Sequence, residues 1–377
     1  MPAPRLPIDV VHVMRPTAGG VRRHVVDLIT GLDALGVNQA LVYSSAGADT
    51  PFVEALTRMR AMGVETVELS MAREINPFAD LRAAAALAKI VRRLSPWVMH
   101  LHASKAGAIG RLGALGMPNV RVVYSPHASA ANISRVYALA ELVLARLGVD
   151  RIVAVSASER AELSELHLVP ENKLVQVDCG IDAAEVQILS QQLPAVAIPE
   201  GKLVVAVGRL AEQKNPLFLV DCAAEVVARV PEARFVWVGD GELRDAVNAR
   251  VAQLSLGERW TTTGWVSNPF PFMYGATVCV LPSRYESFGY TTLEAMVLGK
   301  PVVATAVAGS RDLIVSGETG ELTPPGNRTA FTGALVRLLT DPERAARLGS
   351  AAAVRARMFS RERMATEMLA VYRSLSS

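Results

Sequence analysis

Cysteine is scarce in this sequence of 377 residues, and neither sign of charge dominates. Cys179, Cys222 and Cys279 lie in apolar stretches without CxxC spacing, which argues against a disulfide framework or a cysteine zinc site. They are typical of reduced core residues in a cytosolic protein. Up to residue 195 there are 19 basic and 18 acidic residues, and after it 20 and 18. Neither half has the basic surplus that nucleic-acid binding requires, so we expect no nucleic-acid partner.

Long apolar runs are also missing. The first run, residues 8–14, is about one strand long and is too short for a signal peptide or a transmembrane helix. We therefore expect a cytoplasmic protein. Residues 136–147 are nearly apolar apart from Glu141 and Arg146. This pattern is typical of a helix buried against a sheet, and it leaves open a peripheral contact with the inner face of a membrane.

Short β-branched runs alternate with amphipathic helical patterns along the whole chain, which predicts an α/β fold with parallel sheets. In the first half the candidate strands are 8–14, 40–44, 64–69, 97–101, 120–124, 151–155 and 173–177. In the second half they are 203–207, 235–238, 260–263, 278–281 and 301–305. A proline-containing linker at 187–201 separates the two series. We expect two Rossmann-like domains, 1–190 and 191–357, facing each other across a cleft, and a helix in 358–377 that crosses back to the first domain.

The segment 283–299 places two carboxylates around a glycine that opens a predicted helix. The amides at this helix start belong to Phe288, Gly289 and Tyr290. Backbone amides at a helix start bind phosphate well. Glu286 lies in the loop before the helix and Glu294 one turn inside it, where each can accept hydrogen bonds from sugar or ribose hydroxyls. Alternatively, Glu294 closes a capping box with Thr291.

Polar residues also follow other predicted strands, where α/β sheets bind ligands. Gly19 and Gly20 allow close backbone approach and open a helix, although they do not form a GxGxxG fingerprint. Arg209 and Lys214 follow the first strand of the second domain and can neutralise a diphosphate. They could instead form an exposed loop salt bridge. Gly239 lies in a tight turn typical of a nucleotide pocket and of an ordinary βα connection.

The histidines divide into structural and site candidates. His24 is expected on a helix surface or between helix and sheet, and His100 is expected to be structural. His102 is a candidate for lining the cleft, while His127 directly follows a strand and can accept a hydrogen bond from a sugar hydroxyl. His100 and His102 share one face of a strand, but no third metal ligand at suitable spacing is evident, so zinc is disfavoured.

Together these motifs resemble those of the retaining glycosyltransferases of GT-B fold designated family GT4. The resemblance covers most of the chain and rests on Gly19-Gly20 with His24, His127, Gly208-Arg209-Leu210 with Lys214, Gly239-Asp240-Gly241, Glu286 with Glu294, and residues 299–304. In similar proteins the residue matching Glu294 binds the ribose, and the residue matching Glu286 contacts the donor sugar. Those matching Arg209 and Lys214 hold the diphosphate.

The resemblance also implies that His127 lies near the anomeric carbon and that the Gly19-Gly20 loop closes over phosphate and acceptor. One segment departs from the family pattern: the usual Gly-Gly-x-x-Glu is Ala-Gly-Ser-Arg-Asp at 308–312. The identity of the donor sugar therefore cannot be carried over from relatives.

The resemblance implies a retaining transfer from a nucleoside diphosphate sugar, with a UDP-sugar expected, to an acceptor hydroxyl in polysaccharide or glycolipid synthesis. The acceptor could be a lipid-linked sugar, an oligosaccharide or a small molecule. Glu286, His127, Arg209 and Lys214 are the candidate catalytic residues, and no metal or other cofactor is expected. Two alternatives remain open: a nucleotide-sugar epimerase of the same fold, and a non-catalytic protein that binds nucleotide sugars.

Overall fold

The computed structural model describes residues 8–15, 19–46, 48–72, 74–127, 148–165 and 169–375. The chain forms two compact units, one of residues 1–180 with 361–377 and one of residues 181–360. The segment 136–147, considered above for membrane contact, lies outside the described residues. Among the helices that the structure describes, none combines the length and the apolar character needed to cross a membrane.

In the first unit, parallel strands alternate with helices. The strands are β1 Val10–Met14, β2 Gln39–Tyr43, β3 Glu65–Glu68, β4 Val98–His102, β5 Arg121–Ser125, β6 Arg151–Ala154 and β7 Leu174–Gln176. The α-helices that the structure describes before the second unit are α1 Gly20–Ala34, α2 Thr50–Ala61, α3 Pro77–Leu94, α4 Ala103–Gly113 and α5 Ala157–Glu165. The described strands form one sheet in the order β3-β2-β1-β4-β5-β6-β7. Helices on a parallel sheet bury both of its faces, which explains the near-continuous apolar runs of its strands.

In the second unit the strands are β8 Lys202–Val207, β9 Ala233–Val238, β10 Trp260–Gly264, β11 Val278–Leu281, β12 Val302–Thr305 and β13 Glu321–Thr323. Its helices are α6 Ala183–Ser190, α7 Pro216–Arg229, α8 Arg244–Gln253, α9 Phe270–Gly275, α10 Tyr290–Val297, α11 Ala308–Leu313, α12 Arg328–Thr340 and α13 Pro342–Ala356. The parallel sheet has the order β10-β9-β8-β11-β12-β13. Trp237, Phe235 and Phe331 are buried in the core around it.

The unit boundaries at 180/181 and 360/361 differ from the predicted 190/191 and 357/358. Helix α6 lies before the predicted first boundary, yet it packs against α9 and α10 of the second unit. The last helix, α14 Arg361–Arg373, belongs to the first unit and packs against α1. The two helices approach closely because Gly31 has no side chain: a Cβ there would lie 2.7 Å from Cβ of Ala365.

Each sheet has a point at which its strand order reverses. In the first sheet the chain moves from β1 outward to β3 and then returns to β4 on the other side of β1. In the second sheet the same reversal separates β8 from β11. The connections on either side of such a point diverge, which leaves a crevice at the carboxyl ends of the two strands where open α/β sheets bind ligands.

Candidate functional site

A partly buried ion pair lies at the reversal point of the second sheet. Nζ of Lys214, in the loop after β8, donates to Oε1 of Glu286, in the loop after β11, at 2.5 Å. Oγ of Ser283 donates to the same carboxylate oxygen at 2.7 Å. Glu286 is 6% exposed. Neighbouring parallel strands therefore bring together two of the predicted catalytic residues and hold the carboxylate in a defined orientation.

Glycines allow the loops after β8 and β9 to touch. Gly239 has φ +140°, and a Cβ there would lie 2.1 Å from the carbonyl oxygen of Gly208. Nε1 of Trp237 donates to the same oxygen at 2.8 Å. Gly239 thus supports the loop that carries Arg209 and Lys214. The Arg209 side chain is exposed, and no described residue forms an ion pair with it.

The start of α10 agrees with the predicted helix start and excludes the capping box. Gly289 is the N-cap with φ +93°, a conformation that favours glycine, and the helix begins at Tyr290. Thr291 is the second helical residue, so it cannot be the N-cap partner of Glu294. Glu294 lies half-buried one turn into the helix.

The aromatic side chains at this helix start are part of the core. Phe288 and Tyr290 are 4% and 9% exposed. Their ring centroids are 5.3 Å apart, and Phe288 also packs against Phe359 at 5.9 Å. Any contribution of Phe288, Gly289 and Tyr290 to a ligand site must therefore come mainly from their backbone amides.

The segment 308–312, which departs from the family pattern, packs against the loop that carries Glu286. The amide of Gly309 in α11 donates to the carbonyl oxygen of Glu286 at 3.0 Å. A Cβ on Gly309 would lie 2.4 Å from the carbonyl oxygen of Phe288. The glycine of Ala-Gly-Ser-Arg-Asp is therefore required by packing.

In the first unit, Gly19 and Gly20 lie at the reversal point between β1 and β4. Gly19 is the N-cap of α1 with φ +100°, and Gly20 is its first residue; both are exposed. The preceding residues, 16–18, lie outside the described part of the chain. His24, one turn into α1, is fully buried and faces Sγ of Cys179 through Nδ1 at 3.3 Å.

Five histidines cluster beside this reversal point: His12 on β1, His24 on α1, His100 and His102 on β4, and His127 just after β5. Nδ1 of His12 lies 3.1 Å from Nε2 of His102. Nδ1 of His102 lies 3.3 Å from Nε2 of His127. The expectation that His102 lines a cleft is wrong, because it is 1% exposed and lies between His12 and His127. His127 is partly exposed.

The ring nitrogens of His100 have other partners than those of His12, His102 and His127. Its Nδ1 lies 2.6 Å from the hydroxyl of Tyr372 on α14, and its Nε2 lies 2.9 Å from Oγ of Ser125. These contacts give His100 the structural position that the sequence suggested.

The sequence did not reveal a third histidine beside His100 and His102, whereas the fold provides two groups of three. One group is His12, His100 and His102, and the other is His24, His102 and His127, each with ligand atoms within 4.8 Å of one another. Two members of the second group, His102 and His127, already face each other through Nδ1 and Nε2 at 3.3 Å. The absence of a metal in the reaction stays a prediction.

Burial keeps these histidines neutral. It lowers the pKa of His12 to about 4, against the opposing effect of a hydrogen bond with Gln39, and it lowers the pKa of His127 to about 3. Burial, followed by the neighbouring histidines, places the pKa values of His24, His100 and His102 well below the ordinary value. At neutral pH each imidazole therefore has one N–H donor and one lone pair.

Sequence reasoning missed Ser283, His12 and Gln39 as parts of these arrangements. Ser283 precedes Glu286 by three residues, a spacing that could have suggested a contact within one loop. In the sequence, His12 is a single polar residue in an apolar strand, and this pattern alone does not indicate a functional role. Its pairing with His100 across β1 and β4 depends on a strand register that spacing along the chain does not contain.

Two open parallel sheets, each with a reversal point and polar residues at its carboxyl edge, are the architecture of the GT-B fold. Residues 18–185 match the family model Glycosyltransferase Family 4, and residues 201–341 match the model Glycosyl transferases group 1. The chain belongs to glycosyltransferase family 4, as predicted, and is a glycosyltransferase.

Named relatives agree with this assignment. The UDP-Gal:alpha-D-GlcNAc-diphosphoundecaprenol alpha-1,3-galactosyltransferase of Escherichia coli is 26% identical over 357 residues, covering 89% of this chain and 88% of that enzyme. Alpha-D-kanosaminyltransferase of Streptomyces kanamyceticus is 35% identical over 176 residues, so the match spans only 46% of that relative. Among solved structures, Anabaena HepE in complex with UDP-glucose has a TM-score of 0.82 at 19% identity, covering 97% of this chain and 99% of HepE.

Proposed function

We propose that this protein transfers a sugar from a UDP-sugar to an acceptor hydroxyl with retention of the anomeric configuration. The observation that carries the proposal is the Lys214–Glu286 pair at the reversal point of the second sheet. At this edge a cation can bind the diphosphate of a nucleotide sugar, and a carboxylate can accept hydrogen bonds from its hydroxyl groups. The complex of HepE with UDP-glucose supports UDP as the nucleotide.

In this proposal the residues have separate roles. Lys214 and the exposed Arg209 bind the diphosphate, where negative charge develops as the bond to the sugar breaks. The amides at the start of α10 add to this binding. Glu286 accepts hydrogen bonds from the donor sugar, and Glu294 accepts them from the ribose.

Retention follows if the acceptor attacks from the face that the nucleotide leaves. The bond from the anomeric carbon to the β-phosphate oxygen breaks while a bond to the acceptor oxygen forms. The acceptor proton passes to the departing phosphate, so no enzyme nucleophile is required. Because Lys214 and Arg209 offset the charge on the leaving UDP, we propose that no metal takes part.

The proposal also covers the class of acceptor and the cellular location of the enzyme. The Escherichia coli relative is named for a diphosphoundecaprenol-linked acceptor. A lipid-linked sugar is thus one of three acceptor classes to be screened, beside oligosaccharides and small molecules. A cytosolic enzyme at the inner face of a membrane would meet all three, and the burial of the three cysteines supports a reducing compartment.

Nucleotide binding tests the donor site first. Thermal stabilisation by UDP, GDP, ADP, CMP and TDP is measured without added metal. A nucleotide at about 100 times its Kd should stabilise the protein by roughly 2.7 kcal/mol, a shift of a few degrees. UDP should stabilise the wild type, and Glu294→Ala should remove the shift. Failure of every nucleotide to stabilise a folded protein would contradict the donor site.

A matched pair of lysine variants locates the diphosphate. Lys214 follows the end of β8, whereas Lys202 is at its beginning and pairs with Glu232 at 2.7 Å. Lys214→Gln should weaken UDP binding about 10- to 100-fold, as expected for loss of a hydrogen bond to a charged group. Lys202→Gln should leave UDP binding unchanged. Equal losses would show that the effect is not specific to this edge of the sheet.

Measurements of kcat distinguish the proposed role of Glu286 from that of Glu294, and analysis of the product shows the stereochemistry of the transfer. Glu286→Gln should lower kcat about 100-fold or more with little change in UDP affinity, because its contact strengthens in the transition state. NMR of the product should show the same anomeric configuration as the donor. An inverted product would overturn retention, and sugar isomerisation without acceptor would favour the epimerase.

A further inference from the structure

The side-chain amide of Gln39 has only one orientation that satisfies both of its contacts. Gln39 is 3% exposed at the start of β2. Its Nε2 donates to the backbone carbonyl oxygen of Ile29 at 3.0 Å. Because a carbonyl oxygen can only accept, the NH₂ group must face Ile29. Oε1 of Gln39 then faces Nε2 of His12 at 3.0 Å.

This orientation determines which nitrogen of His12 carries the hydrogen. Oε1 of Gln39 can only accept, so Nε2 of His12 must donate. His12 is neutral in the buried cluster, and its Nδ1 therefore has a lone pair. At 3.1 Å from that lone pair, Nε2 of His102 is the donor.

The same reasoning extends to the partly exposed end of the cluster. With hydrogen on Nε2, the neutral ring of His102 presents a lone pair on Nδ1. Nε2 of His127 lies 3.3 Å away and donates to it. His127 is neutral too, so its Nδ1 presents a lone pair and can act only as an acceptor.

We propose that Gln39 is a positioning residue which, through His12 and His102, holds His127 in the tautomer with hydrogen on Nε2 and an acceptor at Nδ1. This inference rests on the proposed function and on the role expected for His127 from the sequence, in which the ring accepts a hydrogen bond from a sugar hydroxyl. A ligand oxygen without a hydrogen, such as a carboxylate, would meet a second lone pair at this atom. We call the hydrogen-bonded series Gln39, His12, His102 and His127 the relay. It favours a substrate that places a hydroxyl group, with its hydrogen, at Nδ1 of His127.

Nitrogen-15 NMR of the histidine rings tests the relay without any substrate. The six histidines of the sequence are labelled, and their signals are assigned by single substitutions. In the wild type, His12, His102 and His127 should all show the tautomer with hydrogen on Nε2. His127 with hydrogen on Nδ1, or protonated near pH 7, would overturn the proposal even if no variant folds.

Two substitutions at Gln39 separate its hydrogen bonds from its volume. Gln39→Leu removes both contacts and should give His127 a mixture of tautomers. In Gln39→Glu, burial favours the protonated acid, whose hydroxyl can donate to Ile29 while its other oxygen accepts from His12. This variant should keep the wild-type tautomer. His100, bonded to Tyr372 and Ser125 instead, should keep its signals in both variants.

A double-mutant cycle tests whether Gln39 acts through His127. Gln39→Leu should lower kcat about fivefold, the loss expected for one hydrogen bond, and Gln39→Glu should restore it. In a His127→Gln background, Gln39→Leu should cause no further loss. Additive losses, or an unchanged His127 tautomer in Gln39→Leu, would show a merely structural role. If no nucleotide sugar is turned over, the proposed function fails while the tautomer result still stands.

Discussion

Lowering the pH from about 7 to about 5.5 should destabilise the first unit and spare the second. All six histidines in the sequence precede residue 181, and five of them cluster together: His12, His24, His100 and His102 are buried, and His127 is partly exposed. Their folded pKa values are lowered, to about 4 for His12 and about 3 for His127. In the unfolded chain the pKa of histidine is about 6.5, so the unfolded state binds more protons as the pH falls. Stability is thus fully present above that value and is lost below it.

The magnitude follows from the number of clustered rings whose folded pKa values are lowered. Between about pH 7 and 5.5, one histidine that stays neutral only in the folded state costs just over 1 kcal/mol. The five rings together cost on the order of 6 kcal/mol, which is comparable with the total stability of an ordinary domain. Most carboxylates remain ionised in this range, so the second unit lacks an equivalent loss.

Hydrogen exchange measured by mass spectrometry can follow the two units separately. After correction for the intrinsic pH dependence of exchange, peptides from β1, β4 and β5 should lose protection strongly, while those from β8 and β11 change little. His24→Gln removes one of the five titrating rings and should reduce the difference by about one fifth, roughly 1 kcal/mol. Equal loss of protection in both units, or none in the first, would refute the reasoning.

Two further predictions concern the second unit. Gly239→Ala should destabilise it by about 3 kcal/mol or more in chemical denaturation, because the added Cβ meets a carbonyl oxygen at 2.1 Å and φ is +140°. Gly257→Ala, with open space around the added Cβ, is the control and should cost far less. The thiols of Cys222 and Cys279 should resist iodoacetamide in the folded protein and react after denaturation, since burial raises their pKa values to about 12. Rapid alkylation of the native protein, detected by mass spectrometry, would contradict that burial.

Sequence patterns predicted every described strand except one, and the clearest were the apolar central strands, because buried parallel strands need apolar residues on both faces. They missed β13, whose three residues include Glu321 and Thr323. Glu321 is buried in the sheet yet paired with Arg344 at 2.7 Å, so its polarity hid the strand. An ion pair between distant segments compensates a buried charge, and a local pattern cannot show that compensation.

The sequence likewise predicted part of the candidate sites, namely the residues that follow strands, and missed the contacts between residues within strands. The order of the motifs placed Lys214 and Glu286 at carboxyl ends of strands, and the fold shows them in contact. The contacts of Gln39, His12 and His102 were beyond prediction, because each requires the register of β1 against β2 and β4. Side chains on neighbouring strands become partners only when the strands are aligned.

The position of α14 has a consequence for synthesis on the ribosome. This helix supplies Met364, Met368 and Tyr372 to the core of the first unit, although it is encoded after the whole second unit. At 5–20 residues per second, about 10 to 40 s pass between synthesis of residue 180 and synthesis of residue 373, the end of α14. During that time the nascent first unit lacks the helix that covers His100, and its apolar surface beside α1 stays open to chaperones.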